Sequence, residues 1–179
     1  MNTFKNEIIL LLKQVNPLMY ISSESKEYIN NVTILLITKL TKNIVNNNLI
    51  DSFRSLLSEN LFRHGNDICV ISDKNYIFVI DYKKVGKIAK IYNENLSEKD
   101  VLLLRCFIEY LLCQIIEVAG DLTRDNKKKI ITNKFIIDAI NKDVDLKYLF
   151  ENLGISLTTI NKKSNVSRKS NTRKRKKKN

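Results

Sequence analysis

The chain has 179 residues, of which 44% are hydrophobic, so wholesale disorder is excluded; one proline and four glycines favour long helices over a turn-rich β architecture. Its net charge of +12 is concentrated at one end: residues 162–179 hold ten basic and no acidic side chains, leaving 21 basic against 19 acidic residues, or +2, in the rest. Apolar stretches break at Lys, Glu or Asn before reaching the roughly 18 residues of a membrane span, and the basic end implies a polyanionic partner, either nucleic acid or an anionic membrane surface.

In chain order, Thr3 to Val15 has helical spacing and ends at Asn16-Pro17, where proline halts a helix. Tyr28, Val32, Leu35, Leu36, Leu40 and Ile44 then predict a long helix from Glu24 to about Asn46. Asp51 is the expected N-cap of a short helix through Phe53, Leu56, Leu57 and Leu61, with Gly65 as its stop and His64 beside that stop, placed for a dipole interaction. Asp67 to Ile80 alternates around Asp73-Lys74-Asn75 and reads as a small β-hairpin. Tyr82 to Tyr92 predicts a short amphipathic helix. Ser97 to Asp100 has capping-box spacing ahead of a second long helix, Glu98 to Leu122, carrying Leu104, Ile108, Leu111, Leu112, Ile115 and Val118. Thr132 caps a helix through Phe135, Ile136, Ala139 and Ile140, and a last one covers Asp145 to Asn152. From Asn161 the composition is low-complexity and reads as disordered unless bound.

The pattern is short–long–short, twice, with the long helices starting about 75 residues apart, the mark of an internal repeat. With these elements in view, Leu11 to Asn31 (LLKQVNPLMYISSESKEYINN) resembles the end of the first helix, first loop and start of the central helix of histone two-B. Phe107 to Thr132 (FIEYLLCQIIEVAGDLTRDNKKKIIT) resembles the central helix and second loop of histone two-A, with EYL, VAG and RDNKK nearly unchanged. NKFIIDAINKDVDLKYLF continues as its third and C-terminal helices. A single chain in this order resembles the fused histone doublets of giant DNA viruses. The implied architecture is all-α: two histone folds in tandem, paired as an intramolecular handshake, with a hairpin linker and a disordered basic tail. The divisions are 1–65, 66–81 (linker), 82–153 and 154–179 (short docking segment and tail). Fusion would replace a bimolecular encounter with an intramolecular one.

The resemblance also implies the site. Phosphates would be gripped where the first loop of one unit meets the second loop of the other, without base reading. Carried onto this chain, the front-half candidates are Lys13, Ile21, Ser22 and Ser23, with Ser22 or Ser23 capping the long helix. The back-half candidates are Arg124, Lys127, Lys128 and Lys129; Arg124 could instead brace the loop by pairing with Asp125. The tail adds Arg168, Lys169, Arg173, Lys174, Arg175, Lys176, Lys177 and Lys178, a nuclear-import signal, a DNA arm, or both. An acidic patch for chromatin-binding proteins would comprise Glu109, Glu117, Asp143 and Asp145, thinned because Gln114 and Val144 stand where acids are expected. The implied partners are double-stranded DNA, a histone three/four-type pair or doublet and a second copy of the chain, in a host nucleus or viral factory and in the virion. No membrane, cofactor or small-molecule substrate is implied.

Some features depart from that family. Asn93 to Asp100 (NENLSEKD) is acidic where the family is Gly- and Arg-rich. Gly154 to Ile160 is shorter than the family's docking extension, and the front half should carry little of the C-terminal helix of two-B. Cys69, Cys106 and Cys113 form no metal signature and read as core thiols; their odd number without a secretory signal points to a reducing compartment. No nucleophile–base pair, paired carboxylates or phosphate loop supports an enzyme. The rival reading is a histone-fold regulatory subunit that binds proteins or one DNA element.

Overall fold

A computed structural model describes residues 3–44, 48–71, 77–158 and 160. Among them are eight helices and two very short strands. The front half runs α1 (Lys5–Val15), β1 (Tyr20–Ile21), α2 (Ser23–Lys42), α3 (Leu49–Leu56) and α4 (Glu59–Ile71). The back half runs α5 (Tyr82–Ala89), α6 (Glu98–Asp125), β2 (Ile130–Ile131), α7 (Asn133–Lys142) and α8 (Val144–Asn152).

Each long helix is buried on more than one side, which a lone short–long–short unit could not achieve. In α2 the buried residues include Tyr28, Ile29, Val32, Leu36, Ile37 and Leu40; in α6 they run from Val101 through Leu104, Phe107, Leu111 and Ile115 to Ala119. The cover is reciprocal. Helix α1 lies on α6 and α5 lies on α2, so each half's first helix packs on the other half's long helix, and the long helices also touch. Both halves therefore share one hydrophobic core. Polar contacts cross it too: Lys84 on α5 pairs with Glu7 on α1.

Capping sets most of the helix ends. Ser97 and Asp100 form the reciprocal capping box at α6, with Asp100 N donating to Ser97 Oγ (3.2 Å) and Ser97 N to Asp100 Oδ2 (3.0 Å). Helix α2 stops at Lys42, short of Asn46, with Asn43 as its C-cap. Helix α5 stops at Ala89, short of Tyr92, whereas α6 runs past Leu122 to Asp125. Asp143 opens α8 by accepting from Leu146 N (2.8 Å). Thr132 holds the N-cap position of α7, but its side chain makes no capping bond.

The stretch after α2 differs most from the sequence reading. Asn48, not Asp51, caps α3: its Oδ1 accepts from Asp51 N at 3.1 Å. The chain breaks at Leu57-Ser58 and starts a second helix, α4, which passes through Gly65. Gly65 is not a stop; it is buried where α4 meets α6, and a Cβ there would lie 2.5 Å from the Phe107 ring. Phe107 also meets Phe53 edge-on, with ring centroids 4.7 Å apart. His64 consequently sits inside α4, exposed beside Arg63, and not at a helix end. Residues 67–71 are helical, which removes the first arm of the expected hairpin; residues 72–76 lie outside the described residues. The front half thus carries a 13-residue helix where little was expected.

Past α8 the chain folds back across the front half. Asn152 Nδ2 donates to Leu56 O (3.1 Å), Tyr28 Oη donates to Leu157 O (3.1 Å), and Ile160 is buried. Burial pushes the Tyr28 phenol up to about 12. The expected disordered arm, 161–179, lies outside the described residues.

Candidate nucleic-acid interface

Two loops more than a hundred residues apart in sequence meet at one end of the molecule. Strands β1 and β2 pair in parallel, with Tyr20 opposite Ile130 and Ile21 opposite Ile131. Tyr20 N donates to Lys129 O (2.8 Å) and Ser22 N to Ile131 O (3.2 Å). This pairing brings Ile21, Ser22 and Ser23 beside Lys127, Lys128 and Lys129. Ser22 is the cap of α2, accepting from Ser25 N at 3.1 Å, while Ser23 is exposed in its first turn. The N-terminus of a long helix, with its unsatisfied N–H groups and positive dipole end, therefore opens at the junction. Lys13 is exposed in the last turn of α1.

The three lysines are exposed on a turn that is strained where it bends. Helix α6 ends with Lys128 N donating to Thr123 O (3.0 Å) and Lys127 N to Arg124 O (2.8 Å). This is the Schellman arrangement, and Lys127 occupies its left-handed position at φ 55°, where glycine is usual. A lysine there is held at a cost of about 1 kcal/mol. Lys128 swings back so that its ammonium lies 5.6 Å from the Phe135 ring centre. Together with Val15, Asn16, Pro17, Leu18, Met19 and Arg124, the lysines line an open cleft of about 430 Å³.

Arg124 is engaged differently from either expectation. Its guanidinium pairs with Asp121, one turn back (3.2 Å), and donates to Asn16 Oδ1 (3.0 Å); Asp125 is not its partner. Asn16 is the residue that sequence reasoning missed. It is buried, and its Nδ2 also donates to Ile116 O (3.2 Å) and Glu117 O (3.3 Å). It can approach α6 so closely because Gly120 faces it: a Cβ on Gly120 would fall 2.2 Å from Asn16 Nδ2. Asn16 therefore locks the first loop of the front half onto the long helix of the back half. The only sequence hints were the glycine in VAG and an asparagine read merely as the end of α1.

The expected acidic patch assembles in part. Glu117 is exposed, Asp143 and Asp145 are half-exposed, and all three carboxylates raise the pKa of the Tyr110 phenol, after burial, the larger cause. Glu109 is not part of that surface. It is 1% exposed, and its Oε2 accepts from Ile80 N at 2.7 Å, because the segment leading into α5 lies over it. Nearby, burial and the charges of Glu109 and Glu117 push the Cys113 thiol up to about 12. Cys69 hydrogen-bonds to Cys106, which together with burial pushes its thiol up as well. These are protonated side chains packed between helices. The tail candidates Arg168, Lys169, Arg173, Lys174, Arg175, Lys176, Lys177 and Lys178 lie outside the described residues.

At the opposite end the surface has another character. The Lys42 ammonium sits 4.6 Å from the Tyr92 ring centre. Glu94 and Glu98 are exposed, and Asp100 is committed to the capping box.

No family model matches the chain. It is similar to a histone two-A, form 1, of Tetrahymena pyriformis, with 32% identity over 77 residues, 40% of this chain and 58% of the relative. It is similar to a histone two-A, form III, of Volvox carteri at 35% over 75 residues, 42% of this chain and 55% of the relative. A probable histone two-A, form 1, of Arabidopsis thaliana matches at 32% over 77 residues, again 40% and 58%. The chain spans a little over half the length of these relatives. The similarity and the helical architecture agree: the chain is all-α and has the histone fold.

Proposed function

We propose that this chain is a DNA-packaging histone doublet: a unit of two-B type, extended from 1–65 to Ile71 because α4 runs unbroken past residue 65, and one of two-A type (82–153), followed by a docking segment and basic tail (154–179). It grips the phosphates of double-stranded DNA without reading bases. It would form the outer dimer of a nucleosome-like particle with a histone three/four-type pair or doublet and a second copy of itself. Its place would be viral, in a host nucleus or viral factory and in the virion. The viral origin rests on the fused order of the two resemblances.

The observation that carries this reading is the parallel pairing of Tyr20–Ile21 with Ile130–Ile131. It sets the capped start of α2 beside Lys127–Lys129, where point charges, backbone N–H groups and a helix dipole can meet successive phosphates, and Lys13, exposed at the end of α1, would add a further cation. Ser22 and Ser23 contribute through the helix start, and Ile21 through its backbone. Arg124 acts as the brace of this face more than as a contact. The tail cations add sequence-independent attraction. Of the thinned acidic patch, Glu117, Asp143 and Asp145 remain as a docking surface for chromatin proteins.

The test is nuclease protection after mixing the full chain with DNA and a histone three/four-type partner. A discrete protected fragment, at or below the roughly 147 bp of the histone octamer, is expected. A smear without a protected length, together with one preferred site on long DNA, would overturn packaging in favour of a regulatory histone-fold subunit.

A further inference from the structure

The loop junction carries apolar side chains that the phosphate grip does not use. Leu18 is 83% exposed, Tyr20 67% and Ile130 51%, and none belongs to the core. They stand on rigid backbone. Met19 N donates to Asn16 O (3.0 Å) around a turn containing Pro17, whose ring fixes its φ. Tyr20 is paired to Lys129, and Ile130 is the register partner of Tyr20. Three apolar side chains held out into water beside three lysines form a strip of one chemistry bordered by another.

A matching partner needs anionic ridges with an apolar floor between them. Duplex DNA offers this in its minor groove, where deoxyribose walls lie between two phosphate strands. Proteins that enter that groove do so with arginines or with apolar wedges. The arginine of this junction, Arg124, is turned to Asp121 and Asn16. An anionic bilayer shares part of the chemistry, but it is a broad plane, usually met by a long amphipathic face; here the apolar residues form a narrow projection.

We propose that Leu18, Tyr20 and Ile130 form an apolar wedge that seats in the minor groove while Lys127, Lys128 and Lys129 hold the flanking phosphates. This rests on the DNA-packaging reading.

The test uses the full chain and a mixed-sequence duplex, with affinity measured across a salt series and against a minor-groove-filling polyamide. Leu18→Ser/Tyr20→Ser alters exposed positions, so thermal unfolding should be unchanged and serves as the folding control. Its affinity should fall about tenfold, the worth of roughly one buried apolar side chain, at an unchanged salt slope and with reduced sensitivity to the polyamide. Lys127→Gln/Lys128→Gln/Lys129→Gln should instead flatten the slope by up to about 2.7. Wild-type affinity in the Ser/Ser variant overturns the wedge alone. So does a Ser/Ser variant that loses binding only to vesicles containing phosphatidylserine. A wild-type chain that fails to bind the duplex overturns the packaging reading, and the wedge with it.

Discussion

The two ends of the molecule are built on one plan and dressed differently. At the β1–β2 end, the turn after α6 carries three exposed lysines in succession, and Arg124, braced by Asp121, is tied inward to a buried Asn16. At the other, the turn before α6 carries Glu94, α6 itself opens with Glu98, and Lys42 is laid over Tyr92. A long helix begins at each end: α2 has Glu24 in its first turn, whereas α6 has both Glu98 and Asp100, the latter accepting from Ser97 N. Carboxylates in the first turn compete with phosphate for a helix N-terminus, and α6 has two where α2 has one. The same fold thus presents one strongly cationic surface and one muted one, and the difference lies in turn residues that the core does not constrain.

That contrast can be broken by charge removal. Lys127→Gln/Lys128→Gln/Lys129→Gln should weaken DNA binding at low salt far more than Lys42→Gln/Lys90→Gln, with slopes differing by about one or more in a salt titration. Equal losses would mean that both ends grip alike. A smaller effect concerns support. Asn16→Ala removes three hydrogen bonds, one of them buried and two part-buried, and releases Arg124, and should cost about 2 kcal/mol in denaturant unfolding; a loss near zero would show that Gly120 and Asn16 are merely adjacent. The smallest expected effect is a gain. Lys127→Gly relieves the left-handed strain, and should raise stability by about 0.5–1 kcal/mol while lowering the salt slope by about 0.9. A destabilised Lys127→Gly would mean that its side chain, and not its backbone, holds the turn.

Periodicity and caps made the long helices legible: α2 begins one residue before its expected start, and the Ser97–Asp100 box is formed as its spacing implied. The parallel β1–β2 pairing sets the loop holding Ile21–Ser23 beside the turn holding Lys127–Lys129. Local signals failed where a distant partner overrides them. Gly65 looked like a stop because an interior glycine costs a helix about 1 kcal/mol; here the missing side chain lets α4 close on Phe107, forty-two positions away, and the glycine stays inside the helix. Glu109 sat in a stretch matching an outward-facing surface, and nothing near it in sequence announces that Ile80 will cover it. Asn16 was invisible for the same reason: its partners lie 100 to 108 residues further on.

Those separations matter during synthesis. A ribosome adding about 5–20 residues per second finishes α1 and α2 roughly 4–15 s before the stretch of α6 that covers them has been made. Through that interval Ile8, Leu11, Val32 and Leu36, all sealed in the finished molecule, lack the cover that α5 and α6 later provide. The nascent front half is therefore an adhesive surface, open to chaperones and to other nascent copies. A message truncated ahead of Ile116 would release it with no means of closing.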